Sequence, residues 1–249
     1  IIEDPPIVTE SHKSLFRSIA KAIHAKAEPS EAEIARYQPR WRELGWDRPT
    51  HAFTMIGLKR LRNFRTLISR AIDEGVPGDI LETGVWRGGA SILARAVLRA
   101  WGDASRRVYV ADSFEGLPPP SPDFPQDAES TLHQDAELAV TLAQVKTNFA
   151  KFDLLDDQVV FLKGWFRDTM PNAPIARLAV LRLDGDMYES TLDPLTHMYD
   201  KISVGGWVIV DDYFLAPCQA AVSDFLGARG LRPDIAPIDG IGVYFQKTA

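Results

Sequence analysis

A chain of 249 residues, 45% hydrophobic and 25% charged, has room for one large α/β domain and carries no mark of a fibrous or disordered protein. Its net charge of -6 is spread without a basic stripe, which argues against nucleic acid as a partner, because phosphate binding needs clustered Lys and Arg. The single Cys218 excludes an intramolecular disulfide or a cysteine-cluster metal site and suits a reducing cytoplasm, and no secretory signal or apolar run near the roughly 18 residues of a membrane helix is present.

The opening at Ile1 rather than Met reads as a start downstream of a trimmed or disordered segment. Residues 1–75 read as a helical extension and 76–249 as a Rossmann-like core, together one domain. Helical periodicity covers 11–27, then a segment opened by Pro29-Ser30 with Glu31 and Glu33 in its first turn, then 54–73, where Met55, Leu58, Leu61, Phe64 and Ile68 recur at helical spacing. The basic run Lys59-Arg60-Leu61-Arg62-Asn63-Phe64-Arg65 reads as a solvated face of that helix. After the break at Gly75-Val76-Pro77-Gly78 the rhythm changes. Strands are expected at 79–83, 107–111, 158–162, 178–183, 206–210, 232–237 and 242–246. Helices are expected at 89–101, 137–152, 191–201 and 217–229. That alternation predicts βαβ units and a mostly parallel sheet of six or seven strands, closed by a C-terminal antiparallel hairpin, since 238–241 is too short for a crossover helix. The Pro-rich stretch 118–125 excludes regular structure and reads as part of a lid or binding loop.

The first strand ends in Glu82-Thr83-Gly84-Val85-Trp86-Arg87-Gly88-Gly89. Gly84 permits close backbone approach to a ligand, and the absence of G-x-G-x-x-G, with Trp at position 86, counts against NAD. Asp112, at the end of the second strand, stands about 25–30 residues beyond the glycine loop, where Rossmann sites hold a ribose. A helix cap or turn for Asp112 and a surface acid for Glu82 are the alternatives.

Two later strands end in paired acids, Asp184-Gly185-Asp186 and Asp211-Asp212. On adjacent parallel strands these carboxylates meet at one sheet edge, where they repel unless a cation neutralises them. Oxygen ligands without Cys favour Mg²⁺, with Ca²⁺ or Mn²⁺ as alternatives. Asp184, Asp211 and Asp212 are assigned as ligands and Asp186 as the general base that takes a hydroxyl proton. Phosphoryl transfer is the competing use of such a cluster, but no phosphate-cradling G-x-x-x-x-G-K-[ST] loop accompanies it.

Five segments then carry a resemblance: Leu81–Gly89, Ala111–Pro118, Lys163–Phe166, Leu183–Ser190 and Gly205–Tyr213, in that order along residues 50–248. Together they resemble the macrocin O-methyltransferase (TylF-type) family, which methylates sugar hydroxyls of antibiotics with S-adenosylmethionine and Mg²⁺. The resemblance implies a class I methyltransferase fold and a small-molecule glycoside as substrate, macrolide or aminocoumarin in type. It implies that Glu82 and Gly84 line the methionine and ribose end of the cofactor and that Asp112 holds the ribose. Ser113 and Phe114 would lie along the adenosine, Gly164 and Trp165 would border the adenine, and Met55 and Ile56 would close over the cofactor. Thr83, Ser91 and Asp184 join the same set. A more distant similarity to catechol-type enzymes leaves a phenolic acceptor as the alternative. An NAD-linked sugar dehydrogenase and a nucleotide-binding module with a structural acid cluster are the rivals of other classes. Assembly as a homo-oligomer stays open.

Overall fold

The computed structural model describes residues 40–45 and 51–248. The expected helix at 11–27 and the start of the one after Pro29-Ser30 lie outside the described residues, while 40–44 are helical. From there the elements are α1 (Leu58–Asp73), β1 (Asp79–Thr83), α2 (Gly89–Ala100), β2 (Val108–Asp112), α3 (Leu142–Lys151), β3 (Val159–Lys163), α4 (Phe166–Thr169), β4 (Leu178–Leu183), α5 (Tyr188–Met198), β5 (Ile202–Val210), α6 (Ala216–Ala228), β6 (Ala236–Pro237) and β7 (Val243–Gln246).

The seven strands lie in the order β3-β2-β1-β4-β5-β7-β6. β1 to β5 run parallel, β7 pairs antiparallel with β5, and β6 pairs antiparallel with β7, which is the expected terminal hairpin. Helices cover both faces, so the central strands are apolar on both sides. Along β2, Val108 and Val110 pack with α1, α2 and α3, whereas Tyr109 and Ala111 pack on the opposite face. β5 alternates in the same way, with Trp207 and Ile209 on the first face and Val208 and Val210 on the second, beside α5 and α6.

Several element ends differ from expectation, and their caps show why. α1 starts at Leu58 because Gly57, extended at φ -74 and ψ 168, caps it. α3 starts at Leu142 because Thr141 accepts from the Gln144 amide at 3.3 Å. α5 starts at Tyr188, not near 191, because Asp127 from the long loop accepts the Tyr188 amide at 2.7 Å and the Glu189 amide at 3.0 Å. That loop carries three single-turn 3-10 segments, Pro125–Asp127, Leu132–Gln134 and Ala136–Leu138, and Asp127 itself is buried. β5 extends back to Ile202 through a register shift opposite β4, whereas β6 keeps only two residues of the expected strand.

Candidate active site

A cleft opens along the carboxyl ends of the strands, the ligand-binding edge of open α/β sheets. Its lining comes from Gly84 and Trp86 after β1, Asp112, Ser113 and Gly116 at the end of β2, and Gly164, Trp165, Phe166 and Arg167 after β3. Asp184, Gly185 and Asp186 after β4 continue it, with Glu189, Ser190 and Asp193 from α5. Met55 and, from the long loop, Leu117, Pro118 and Leu138 complete it.

The backbone at this edge is tightly specified. Gly84 has φ +81°, and a Cβ there would stand 1.6 Å from the Asp184 carbonyl oxygen. The close approach expected of a ligand is thus already made by the neighbouring strand, so any side chain at 84 would force the ends of β1 and β4 apart. Trp86, Phe114 and Asp186 take φ of 48°, 58° and 59°, a region non-glycine residues rarely visit, in the loops after β1, β2 and β4. Such backbone persists where surrounding contacts over-determine it, and it turns these side chains to angles an ordinary strand-to-helix turn would not give. Those contacts are visible. The Asp112 carboxylate accepts the Val85 amide at 2.8 Å and the Phe114 amide at 2.7 Å, clamping two loops together. Burial holds the Asp112 carboxyl above its ordinary range against those amides. The Trp86 indole donates to the Glu137 carbonyl oxygen at 2.8 Å, tying the long loop to the β1 loop.

The acids of β4 and β5 do converge, and they are threaded by two arginines. Asp211, 1% exposed, accepts from Arg60 on one carboxylate oxygen and from Arg182 on the other. Arg182, equally buried near the carboxyl end of β4, also donates to Glu82 and, at 2.9 Å, to Asp184. Arg60 pairs further with Asp239 at 3.1 Å. The expectation of a solvated Arg60 is therefore corrected: its helix presents 60, 64, 67, 68 and 71 to the interior, and the guanidinium ends among carboxylates. Burial lowers the Arg182 guanidinium, but Asp211, Asp184 and Glu82 outweigh it and leave it raised. Burial lifts Glu82 to about 7 despite Arg182 and a hydrogen bond from Ser91. Burial, then Asp184 and Asp211, lifts Asp186 to about 7. Asp212 is raised by burial and by Asp186, Asp184 and Asp211.

The arginines do not neutralise the whole cluster. One carboxylate oxygen each from Asp184, Asp211 and Asp212 lies within 4.8 Å of the others, and Asp212 Oδ2 is buried without a partner among the described residues. Asp211 keeps lone pairs for further ligation while bonded to arginine, since each carboxylate oxygen offers two. A hard oxygen donor set with an orphaned buried oxygen fits a divalent cation of the Mg²⁺ or Ca²⁺ kind.

Of the residues expected at the site, Met55, Gly84, Asp112, Ser113, Gly164, Trp165, Asp184 and Asp186 line the cleft. Ile56, Glu82, Thr83, Ser91 and Phe114 are buried outside that lining. Thr83 bonds the Arg182 carbonyl oxygen at 3.4 Å, and Phe114 packs on Phe161 with ring centroids 6.3 Å apart. Asp211 and Asp212 stand beside Asp184 rather than in the lining. His133, in the long loop, lies outside the lining, 3.4 Å from Gln134. The sequence reading missed Arg60, Asp127, Arg167, Arg182 and Glu189.

This strand order, with its antiparallel last pair and its ligand cleft at the strand ends, defines a class I Rossmann-like methyltransferase. The family follows from the sequence. The chain belongs to the macrocin-O-methyltransferase (TylF) family, whose profile matches residues 5–247, and it is an O-methyltransferase. It is 54% identical to the 8-demethyl-8-(2,3-dimethoxy-alpha-L-rhamnosyl)-tetracenomycin-C 4'-O-methyltransferase of Streptomyces olivaceus, over 97% of this chain and 96% of that one. It is 52% identical to the mycinamicin III 3''-O-methyltransferase of Micromonospora griseorubida, over 84% of each. The solved structure of the O-methyltransferase NovP superposes with a TM-score of 0.84 at 50% identity, covering 86% of this chain and 89% of that one. Fold and family imply S-adenosylmethionine as the methyl donor. Among the described residues no helix is long and apolar enough to cross a membrane.

Proposed function

We propose that this protein is a Mg²⁺-dependent methyltransferase that transfers the methyl group of S-adenosylmethionine to a deoxysugar hydroxyl of a glycosylated antibiotic. The relatives named above act, by their names, on glycosylated tetracenomycin and mycinamicin compounds. The observation that carries the reading is the convergence of Asp184, Asp211 and Asp212 at the end of a cleft that also holds Gly84 and Asp112.

In this reading Asp112 accepts from the ribose hydroxyls, Gly84 and Met55 border the methionine end, and Ser113, Gly164 and Trp165 border the adenosine. Asp184, Asp211 and Asp212 hold the cation, which supplies a lowered hydroxyl pKa and a fixed orientation of the acceptor. Asp186 faces the same cleft, where its carboxylate would receive the acceptor's proton as the methyl group passes from sulfur to the hydroxyl oxygen, the S–CH₃ bond breaking and S-adenosylhomocysteine leaving. Arg182 and Arg60 hold Asp211 and Asp184 in register before the cation arrives. Leu117, Pro118 and Leu138 of the long loop exclude water from the reacting groups.

The test is incubation of the protein with labelled S-adenosylmethionine and a panel of glycosylated antibiotic precursors and simple vicinal phenols, with and without EDTA. Label is expected on a glycoside only and only without EDTA. Label on the phenols alone, or full labelling after exhaustive chelation, overturns the reading.

A further inference from the structure

The acid cluster does not use every buried carboxylate of the cleft. Glu189, in the first turn of α5, lines the cleft with a side chain only 6% exposed. Its Oε1 accepts from Arg167 Nη1 at 3.1 Å, whereas its Oε2 is buried with no partner among the described residues. A buried carboxylate oxygen left without a donor costs about 1–3 kcal/mol, so this atom marks a place where a donor from outside the chain is expected.

The sheet order says which end of the cleft this is. Arg167 follows β3, and its ion pair ties Glu189, on the helix after β4, to the β3 side of the cleft. The reacting sulfonium must stand by the acids, so a nucleoside whose ribose rests on Asp112 at the end of β2 extends its base toward β3. The lining on that side includes Trp165, Phe166 and Glu189. Asp193, one helical turn beyond Glu189, adds a second carboxylate facing the cleft.

We infer that Glu189 Oε2 accepts a hydrogen bond from the exocyclic 6-amino group of the cofactor's adenine, and so selects a 6-amino purine over a 6-keto purine. The inference rests on the reading of this cleft as the S-adenosylmethionine site. A 6-keto oxygen would set an acceptor against an acceptor. The discrimination is the gain of one charge-assisted hydrogen bond, about ten- to hundredfold in affinity.

The experiment is calorimetric titration of the protein, without glycoside, with S-adenosylhomocysteine and with S-inosylhomocysteine, repeated on Glu189→Gln. The unsubstituted protein is expected to favour S-adenosylhomocysteine by about ten- to hundredfold. In Glu189→Gln the side-chain amide can donate as well as accept, so the preference is expected to narrow at least fivefold, a ratio from which any general loss of affinity cancels. Equal affinities in the unsubstituted protein overturn the inference, and so does a variant that keeps the full preference. Failure of the unsubstituted protein to bind S-adenosylhomocysteine at all instead overturns the reading of the cleft. The measurement on the unsubstituted protein decides the matter alone where the variant does not fold.

Discussion

Replacing Arg182 by Met, a side chain of similar length, tests whether the arginine holds the acid cluster together. Arg182 is 1% exposed and its guanidinium meets Glu82, Asp184 and Asp211, so the substitution removes the charge those three carboxylates share and leaves only Asp211 with another arginine, Arg60. Removing one partner of a buried ion pair costs about 3–5 kcal/mol. In a domain of this size each kcal/mol lowers Tm by roughly 2–4 °C, so the expected fall is about 6–20 °C. The loss should also depend on pH. A carboxyl whose folded pKa lies above its unfolded value withdraws stability as pH rises from the unfolded value through the folded one. Glu82 already sits at about 7 with Arg182 lowering it, and without the arginine it rises further, so the variant keeps losing stability at pH values where the unsubstituted protein has finished. The gap between the two proteins should therefore widen from pH 6 to pH 8. Added Mg²⁺ should narrow it, because a ligand that binds only the folded state stabilises that state. Thermal unfolding at the two pH values, with and without MgCl₂, gives all three numbers. A variant that melts within about 3 °C of the parent at pH 8, that is, within about 1 kcal/mol, refutes the claim that Arg182 holds the cluster.

Three further outcomes are expected. Asp186→Asn should lower kcat by about 10²- to 10⁴-fold, the usual worth of a general base, with S-adenosylhomocysteine affinity nearly unchanged in titration; near-normal turnover would remove Asp186 from that role. Asp212→Asn should raise the Mg²⁺ concentration for half-maximal activity while leaving the metal-free Tm unchanged or higher, since it relieves the repulsion from Asp186, Asp184 and Asp211 and the amide can keep the hydrogen bond to Asp184. A metal-free Tm several degrees lower would mean that Asp212 is held by contacts rather than by a cation. Asp127→Ala removes the cap of α5 and should cost about 0.5–2 kcal/mol in urea unfolding, together with faster proteolysis between Pro118 and Ala139; an unchanged cleavage rate would show the loop to be held by other contacts.

The ends of β1 to β5 were legible because each is an apolar run closed by Gly or Asp, and the carboxylates at those ends fall on one edge by the rule of parallel sheets. What balances them was harder to read, although the signal was present. Arg182 interrupts Leu178-Ala179-Val180-Leu181 and Leu183, a strand buried along its whole length, and a cation in such a strand needs acids beside it. Arg60 extends the stripe of Phe64, Leu67, Ile68 and Ala71 by one turn, so the basic run around it was only partly a solvent face. The start of α5 was not legible, because its cap, Asp127, comes from 61 residues earlier in the chain. Local propensity carries no trace of a cap supplied across a loop. The orphaned oxygens of Asp212 and Glu189 were beyond sequence reasoning for the same reason, since a missing partner is a property of three-dimensional neighbours.

That Asp127 contact also bears on how the two halves of the site are joined. The carboxylate ties the long loop to the first turn of α5, two residues after Asp186 and on the same turn as Glu189. Trp86 ties the same loop to the segment after Gly84 through Glu137. A loop rich in proline would otherwise lose its order easily, since the backbone bonds within it close only single turns. Anchored at both points, it cannot swing outward without disturbing the turns that carry Gly84 and Asp186. Order in the loop and order in the reacting groups are one equilibrium, so a ligand that fastens either should protect the other from exchange and proteolysis.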